Sequence, residues 1–577
     1  MMDKQNFQPW DYVIFISCLV ISVLIGVFSA FSGGRQKTTK EYLMANRNVG
    51  YGPASLSLLV TIMSAITILG VPAEIYLHGT GYGMFAFSYF LFIPIAAHGI
   101  IPVLYDLHII SVYEYLEMRF SKAVRLCGTA SYIVMMVVYM GVVIYAPALA
   151  VNAVTDLNVW VTVFLLCVIC TLYTAIGGLK AVIWTDVFQA AVMLISQLVI
   201  IGIGCHNFGG PLKVWNIVYD AKKIAPINLN PSPLVPHTFW STCIGGTFLC
   251  LSIYCVNQAA AQRFLCCRSK KQAKLSIYLN FPLLQIVMIV GCSLGLLIFV
   301  QFRCKNPLAF GARPDQLLLY YVMFILKNYP GLPGLFIGCL FCASLSTVSS
   351  CFNSLATVTI QDLIRPNINM SDRSATKLAK LVIVIYALLS LGMTAIASQM
   401  DSILKAALSI LGIIGGPVLS LFLLGIFVRR VNSTGALVGF CVSLLTISWL
   451  GFGSIAFRMN NSNHQVHSVH LDTSCNVTSG TEEFLSTTTT AYNITSTSVI
   501  STIMYSGMSD IYKISYMWYS VISVLISSIF AIAVSLCTEK PFFDESTVHF
   551  LFRKGAVLGP KADRKQIGNC EIDSTLL

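Results

Sequence analysis

Long uncharged apolar runs recur along the chain from Tyr12 to Cys537, with short polar segments between them. Each run is close to the roughly 20 residues that a helix needs to cross the hydrocarbon of a bilayer. Thirteen spans are predicted, approximately 12–31, 52–77, 81–108, 125–150, 157–176, 181–204, 238–262, 275–302, 331–361, 378–398, 402–427, 434–456 and 514–537. A bilayer gives an open backbone no hydrogen-bond partners, so the pattern predicts an all-α integral membrane protein. The first run has no small-residue cleavage site after it and is followed by Arg35, Lys37, Lys40 and Arg47. Residues 1–31 therefore read as a retained N-terminal helix and not as a cleaved leader.

Composition agrees with the pattern. Of 577 residues, 56 % are hydrophobic and 10 % charged, where a soluble domain carries about 25 % charged residues. Soluble multi-domain, disordered, fibrous and nucleic-acid-binding classes are excluded. The net charge of +12 acts here as a topology signal. An odd number of spans puts the termini on opposite sides. With the N-terminus extracellular, most Lys and Arg fall in or beside 31–51, 109–124, 177–180, 263–274, 362–377, 428–433 and the tail 538–577, which are then cytoplasmic. The Ser/Thr-rich stretch 457–512 comes out on the outer side, with sequons at Asn460, Asn476 and Asn493 as the expected glycosylation sites. The expected setting is the plasma membrane.

Most of the 19 cysteines lie in apolar spans and read as small buried hydrophobes. Cys304 and Cys475 fall in outer loops, where an oxidising compartment permits a disulfide, although their spacing does not establish that they come within bonding range. His464, His467 and His470 stand at i, i+3, i+6 in the outer loop. They are either a Zn²⁺ or Cu²⁺ clamp or part of a flexible glycosylated loop. No phosphate-cradling Gly loop, His-Glu-x-x-His or Gly-x-Ser-x-Gly is present, so an enzyme is not expected. The tail ends with Thr575 third from last and a terminal Leu577, the pattern of a PDZ-domain ligand.

Polar groups beside helix breaks carry the rest. Ser57 to Pro72 mixes hydroxyls with helix breakers midway through the second span. Five spans later, Gly245-Gly246 and then Tyr254-Cys255-Val256-Asn257-Gln258 interrupt the seventh. Matched interruptions in two five-helix halves point to an inverted-repeat transporter with its site at the midplane; each alone is also explained as a packing kink. In the ninth span, Ala343-Ser344-Leu345-Ser346-Thr347-Val348-Ser349-Ser350 sets Ser346, Thr347 and Ser350 near one helical face. Neutral hydroxyls and freed carbonyls suit a hard monovalent cation; the alternative is glue between helices. Asp186, an acid within a span, faces either an aqueous path or a cation, or is an interfacial acid two turns from Lys180.

The runs Gly177-Gly178-Leu179-Lys180-Ala181-Val182-Ile183-Trp184-Thr185-Asp186-Val187-Phe188-Gln189, Asn257-Gln258 followed by Gln262-Arg263, and Leu345-Ser346-Thr347-Val348-Ser349-Ser350 resemble the sodium/solute symporter family. The similarity covers nearly the whole chain outside 457–512 and the tail. It implies a LeuT-like 5 + 5 inverted repeat over 52–427, with one extra helix before it and two after it in 434–537. It also implies a first Na⁺ on the carbonyls of Val60, Met63 and Ala343 and the hydroxyls of Ser346 and Thr347. A second Na⁺ is implied near Ser64, Asp186, Gln189 and Gln258, and substrate against Thr67, Tyr139, Cys250 and Tyr254. Relatives carrying sugar or iodide have Gln at Thr67 and an aromatic residue at Cys250, so this pocket departs from theirs toward a wider one.

Tyr139-Met140-Gly141-Val142-Val143, Phe281-Pro282, Asn353 to Thr359 and Ser398-Gln399-Met400 resemble the family's vitamin-carrying branch. That branch implies electrogenic import of biotin, pantothenate and lipoate, each a carboxylate on a neutral body. Short-chain monocarboxylates and iodide are the substrates of neighbouring branches, and a channel is the distant alternative. Lys405, toward the outer end of the eleventh span, is the nearest basic residue expected to the pocket.

Overall fold

The computed structural model describes residues 7–31, 38–155, 157–304, 306–310, 312–399, 403–461, 510–538 and 547. Among these the chain is helical, with one isolated bridge between Val49 and Cys267. The helices used below are α1 Pro9–Phe31, α2 Tyr51–Ile62, α3 Ala65–His78, α4 Lys122–Val154, α5 Val159–Asn207, α6 Gly246–Cys255, α7 Gln258–Leu265, α8 Lys270–Phe302, α9 Leu332–Val358, α10 Asp372–Ala397, α11 Ile403–Phe427, α12 Ser433–Asn461 and α13 Tyr519–Cys537. Shorter helical pieces continue α3 through Asp106.

Ten of the described helical runs are long and apolar enough to cross a membrane, or eleven when the bent pair ending in α7 is counted as one span. Two of them, Ala65–Asp106 with 42 residues and Val159–Asn207 with 49, are about twice the length of one crossing. The longer one contains both spans predicted over 157–204. It changes direction at Gly178, whose φ of 55° and ψ of −164° suit a residue without Cβ.

Helix α9 is the centre of the bundle, packed against α1, α4, α5 and α10 and buried along almost its whole length. That is why its hydroxyl-rich stretch has no lipid-facing side. By contrast α1 keeps one face outward, with Trp10, Leu24 and Phe28 exposed, as a helix does where hydrocarbon is the solvent. Its docking is set by Asp11, whose buried carboxylate accepts from the amides of Gly331 at 2.8 Å and Gly334 at 3.3 Å. An acid at the N-terminus of α9 answers both its free N–H groups and its dipole.

The helix predicted over 434–456 runs on to Asn461, so the Asn460 sequon lies in its last turn. Asn476, Asn493, the His464/His467/His470 cluster, Cys475 and the tail bearing Thr575 and Leu577 lie outside the described residues. Cys304 is disulfide-bonded.

Candidate ion and substrate site

The second predicted span is two helices. α2 ends at Ile62, Met63 (φ −76°, ψ 83°) and Ser64 (φ −86°, ψ 171°) leave helical geometry, and α3 restarts at Ala65. The Ser64 amide, which an unbroken helix would give to Val60, donates to the Ile62 carbonyl at 3.0 Å. The Thr67 amide, due to Met63, donates to Ser64 at 3.0 Å. The break thus releases the Val60 and Met63 carbonyls from the helical ladder. Across from them on α9, the Thr347 hydroxyl lies 3.1 Å from the Ala343 carbonyl and 3.5 Å from that of Val60. Four of the five groups expected around the first Na⁺ therefore belong to one break and the helix turn facing it.

The fifth, Ser346, opens onto a charged network. Its hydroxyl donates to one Asp186 oxygen at 2.6 Å, and the Ser57 hydroxyl donates to the other at 2.5 Å. Arg263 Nη2 stands 3.7 Å from the second oxygen. The guanidinium also donates to Ser57 at 3.3 Å, to the Ala259 carbonyl at 2.7 Å and to the Ser350 hydroxyl, which in turn meets Thr61 Oγ1 at 3.2 Å. Asp186 and Arg263 are both fully buried. A pair so desolvated holds together when its remaining hydrogen-bonding positions are filled, and hydroxyls from α2 and α9 fill them here.

The structure corrects the sequence reading at two points. Arg263, predicted to begin a cytoplasmic loop, lies inside α7 in the core. Gln258, expected near Asp186, accepts from the Val112 amide at 2.8 Å and donates to the Ile110 carbonyl at 2.9 Å. The Asp186 carboxylate recruits the donors that α2, α7 and α9 bring to it, and Gln258 closes a neighbouring chain segment. Of the other expected second-site residues, Gln189 lies one turn after Asp186 with both amide atoms buried and no hydrogen-bond partner among the described residues. Ser64 Oγ is buried beside Tyr139 without a hydrogen bond of good geometry.

The second break closes the site from the other side. α6 and α7 meet at Val256 and Asn257 with a bend of 64°. Two adjacent cavities lie between the breaks. Thr67, Cys250 and Tyr254 line one together with Met63, and Thr67 and Tyr139 line the other with Ser64 and Asn257. All four expected substrate residues therefore face space next to the released carbonyls. The walls are largely apolar, and the Tyr254 hydroxyl is buried with no partner among the described residues. Lys405 is paired with Glu74, at 3.1 Å.

Ser57, Thr61 and Arg263 were not singled out as site residues by sequence, and Ser350, placed with Ser346 and Thr347 on one helical face, was not among the expected ligands. The available signal was Asp186 itself, since an acid in a span requires a cation, and Arg263 is one residue beyond the end predicted for the seventh span.

The family described as sodium:solute symporter family matches residues 42–443. The sodium-dependent multivitamin transporter of Oryctolagus cuniculus is 46 % identical over 539 residues, 92 % of this chain and 83 % of the rabbit protein. The sodium-coupled monocarboxylate transporter 1 of Homo sapiens is 42 % identical over 537 residues, 92 % of this chain and 88 % of the human one. Among solved structures, a Na⁺-coupled sialic acid symporter in a substrate-bound outward-open state aligns with a TM-score of 0.76 at 24 % identity, over 93 % of this chain and 100 % of that one. That likeness is one of fold, and the fold is LeuT-like. These proteins are sodium-coupled carriers and not enzymes. Broken helices around freed carbonyls, a multi-pass helical bundle and these similarities meet in one assignment: the chain belongs to the sodium:solute symporter family.

Proposed function

We propose that this chain is an electrogenic sodium-coupled symporter importing monovalent organic anions, foremost the vitamins biotin, pantothenate and lipoate. The observation that carries the reading is the first break, where the carbonyls of Val60 and Met63 leave the helix opposite the Thr347 hydroxyl and beside an apolar cavity. The first Na⁺ takes those carbonyls, that of Ala343, and the hydroxyls of Ser346 and Thr347. The second is served by Asp186 with Gln189 and Ser64, and Gln258 holds the 110–112 backbone instead. Substrate rests against Thr67, Tyr139, Cys250 and Tyr254.

Its carboxylate meets neither Arg263 nor Lys405, because each is already paired with an acid. It relies on the free amides at the start of α3 and on the bound sodium. Two Na⁺ with one anion move one net positive charge inward, worth about 2.3 kcal/mol per 100 mV. The higher identity to the rabbit multivitamin transporter favours vitamins. The human monocarboxylate relative supplies the second reading, a short-chain monocarboxylate. Labelled biotin uptake in sodium against choline medium, with pantothenate, lactate and iodide as competitors, tests it. Sodium-dependent uptake blocked by pantothenate is expected, and block by lactate alone selects the second reading.

The carrier sits in the plasma membrane with its N-terminus outside and its tail inside, where Thr575 and Leu577 engage a PDZ domain. Cys304 pairs with Cys475 in the outer loops. Asn460, Asn476 and Asn493 carry glycans, and their joint replacement is expected to abolish the mobility shift removed by deglycosylation. A shift that survives the triple substitution would refute this orientation.

A further inference from the structure

Glu74, His78 and His237 stand together where α3 ends, and the transport reading uses none of them. The Glu74 side chain is 4 % exposed. His237 Nε2 lies 3.2 Å and His78 Nε2 3.6 Å from one of its oxygens, Oε2, while Lys405 Nζ lies 3.1 Å from the other. The two imidazole centroids are 5.6 Å apart. One potential ligand atom from each of the three residues lies within 4.8 Å of the others. His237 Nδ1 is buried without a hydrogen-bond partner among the described residues, so the hydrogen bonding of that ring rests on Glu74.

We propose that Glu74, His78 and His237 form a binding site for a divalent transition-metal ion, Zn²⁺ before others, whose occupation arrests the transport cycle. Two neutral imidazoles and one carboxylate with a fourth position open are a zinc donor set. Tetrahedral ligands at zinc bond lengths stand about 3.3 Å apart, and the two nitrogens already stand 3.2 and 3.6 Å from Oε2. Two nitrogens out of three donors disfavour Mg²⁺ and Ca²⁺, which select oxygen. Lys405 occupies Oε1 and leaves Oε2 to the metal. The His78 side chain, 41 % exposed, provides the way in from water.

The arrest follows from which elements the ion would join. Glu74 and His78 belong to α3, and His237 to the segment leading into α6. Val71, one turn before Glu74, and Tyr82, whose ring meets that of His237 edge-on at 5.4 Å, both belong to the cavity wall. A metal tie between the two segments holds that wall in one arrangement, and alternating access requires it to change. The inference rests on the carrier reading for the arrest and on the side-chain geometry alone for the site.

Co²⁺ is the probe for the purified full-length protein. Visible bands of a tetrahedral centre are expected in the wild type and in protein with His464, His467 and His470 all replaced by Ala. They should be absent in His78→Ala and in His237→Ala. In cells, external Zn²⁺ should lower the maximal rate of sodium-driven uptake, and His78→Ala should raise the half-inhibiting concentration by about 10- to 100-fold. Bands that persist in both single variants overturn the site, and bands lost with uptake indifferent to Zn²⁺ in the wild type overturn the arrest. Bands seen as expected in a protein that moves no carboxylate support the site while counting against the substrate reading.

Discussion

The breaks at 63–64 and 256–257 interrupt their helices in the same way and are finished in opposite ways. At the second, the protein supplies the missing partners: Asn257 Oδ1 accepts from the Ala259 amide at 2.9 Å, and the Tyr113 hydroxyl donates to the Val256 carbonyl at 3.1 Å. At the first, no side chain caps α3, and the freed Val60 carbonyl faces the Thr347 hydroxyl at 3.5 Å. That hydroxyl also bonds the Ala343 carbonyl at 3.1 Å, and a buried carbonyl with no partner at all would cost about 1–3 kcal/mol. The first break leaves its carbonyls with only a long contact from the Thr347 hydroxyl, as the proposed ion site requires, whereas the second is finished as a bend by the protein's own donors.

The largest effect is expected from cutting the link between the two breaks. Asp186 accepts from Ser57 on α2 and pairs with Arg263 on α7, so it ties one half of each broken helix to the other. Asp186→Ala strands a fully buried guanidinium at a cost of roughly 3–5 kcal/mol. Loss of surface protein and of uptake is expected. A variant at normal surface density with an unchanged melting temperature would show that the pair does not hold these halves together.

A smaller effect, confined to the ion, is expected at the first break. Thr347→Ala removes one of the five proposed ligands and should raise half-saturating sodium about 5- to 30-fold, the equivalent of roughly 1–2 kcal/mol. Thr347→Ser, which keeps the oxygen, should stay near wild type. Substrate affinity should weaken mainly at low sodium, because ion and substrate help one another only through a conformation both prefer. Unchanged sodium dependence in Thr347→Ala would remove this residue from the site.

The smallest effect belongs to the second break. Tyr113→Phe deletes one hydrogen bond to Val256 and should cost about 1 kcal/mol of stability, read as a lower melting temperature with sodium dependence intact. A sodium shift in this variant would erase the distinction between the breaks.

Much of this was legible in the sequence because hydropathy adds residue by residue along a helix. Most of each predicted span is helical over its described residues, and the first break lies where hydroxyls, Gly70 and Pro72 gather. Pairing is not additive in that way. Arg263 and Glu74 read as a loop cation and an unremarked acid, since the partners that let them be buried, Asp186 and the set of His237 and Lys405, lie far along the chain. Gln258 failed for a related reason: an amide bonds whichever backbone the fold presents, and residues 110–112 gave no sign in the sequence of passing beside it. The hydroxyls of Ser346 and Thr347 were legible because they share one helix, where position follows from spacing.

The Asp186–Arg263 pair also has a history, because a ribosome delivers its two members at different times. They are 77 positions apart, an interval of roughly 4–15 s at ordinary rates of synthesis. During that interval the acid has entered a membrane helix and its cation does not yet exist. Ser57, made earlier, is present to receive the carboxylate, but a hydroxyl does not neutralise it, and an unpaired acid at a helix centre costs at least about 2.5 kcal/mol to insert. The nascent helix must then remain protonated, displaced toward the interface, or sheltered by the insertion machinery until α7 arrives, so release of α5 into lipid is coupled to translation of the next span downstream.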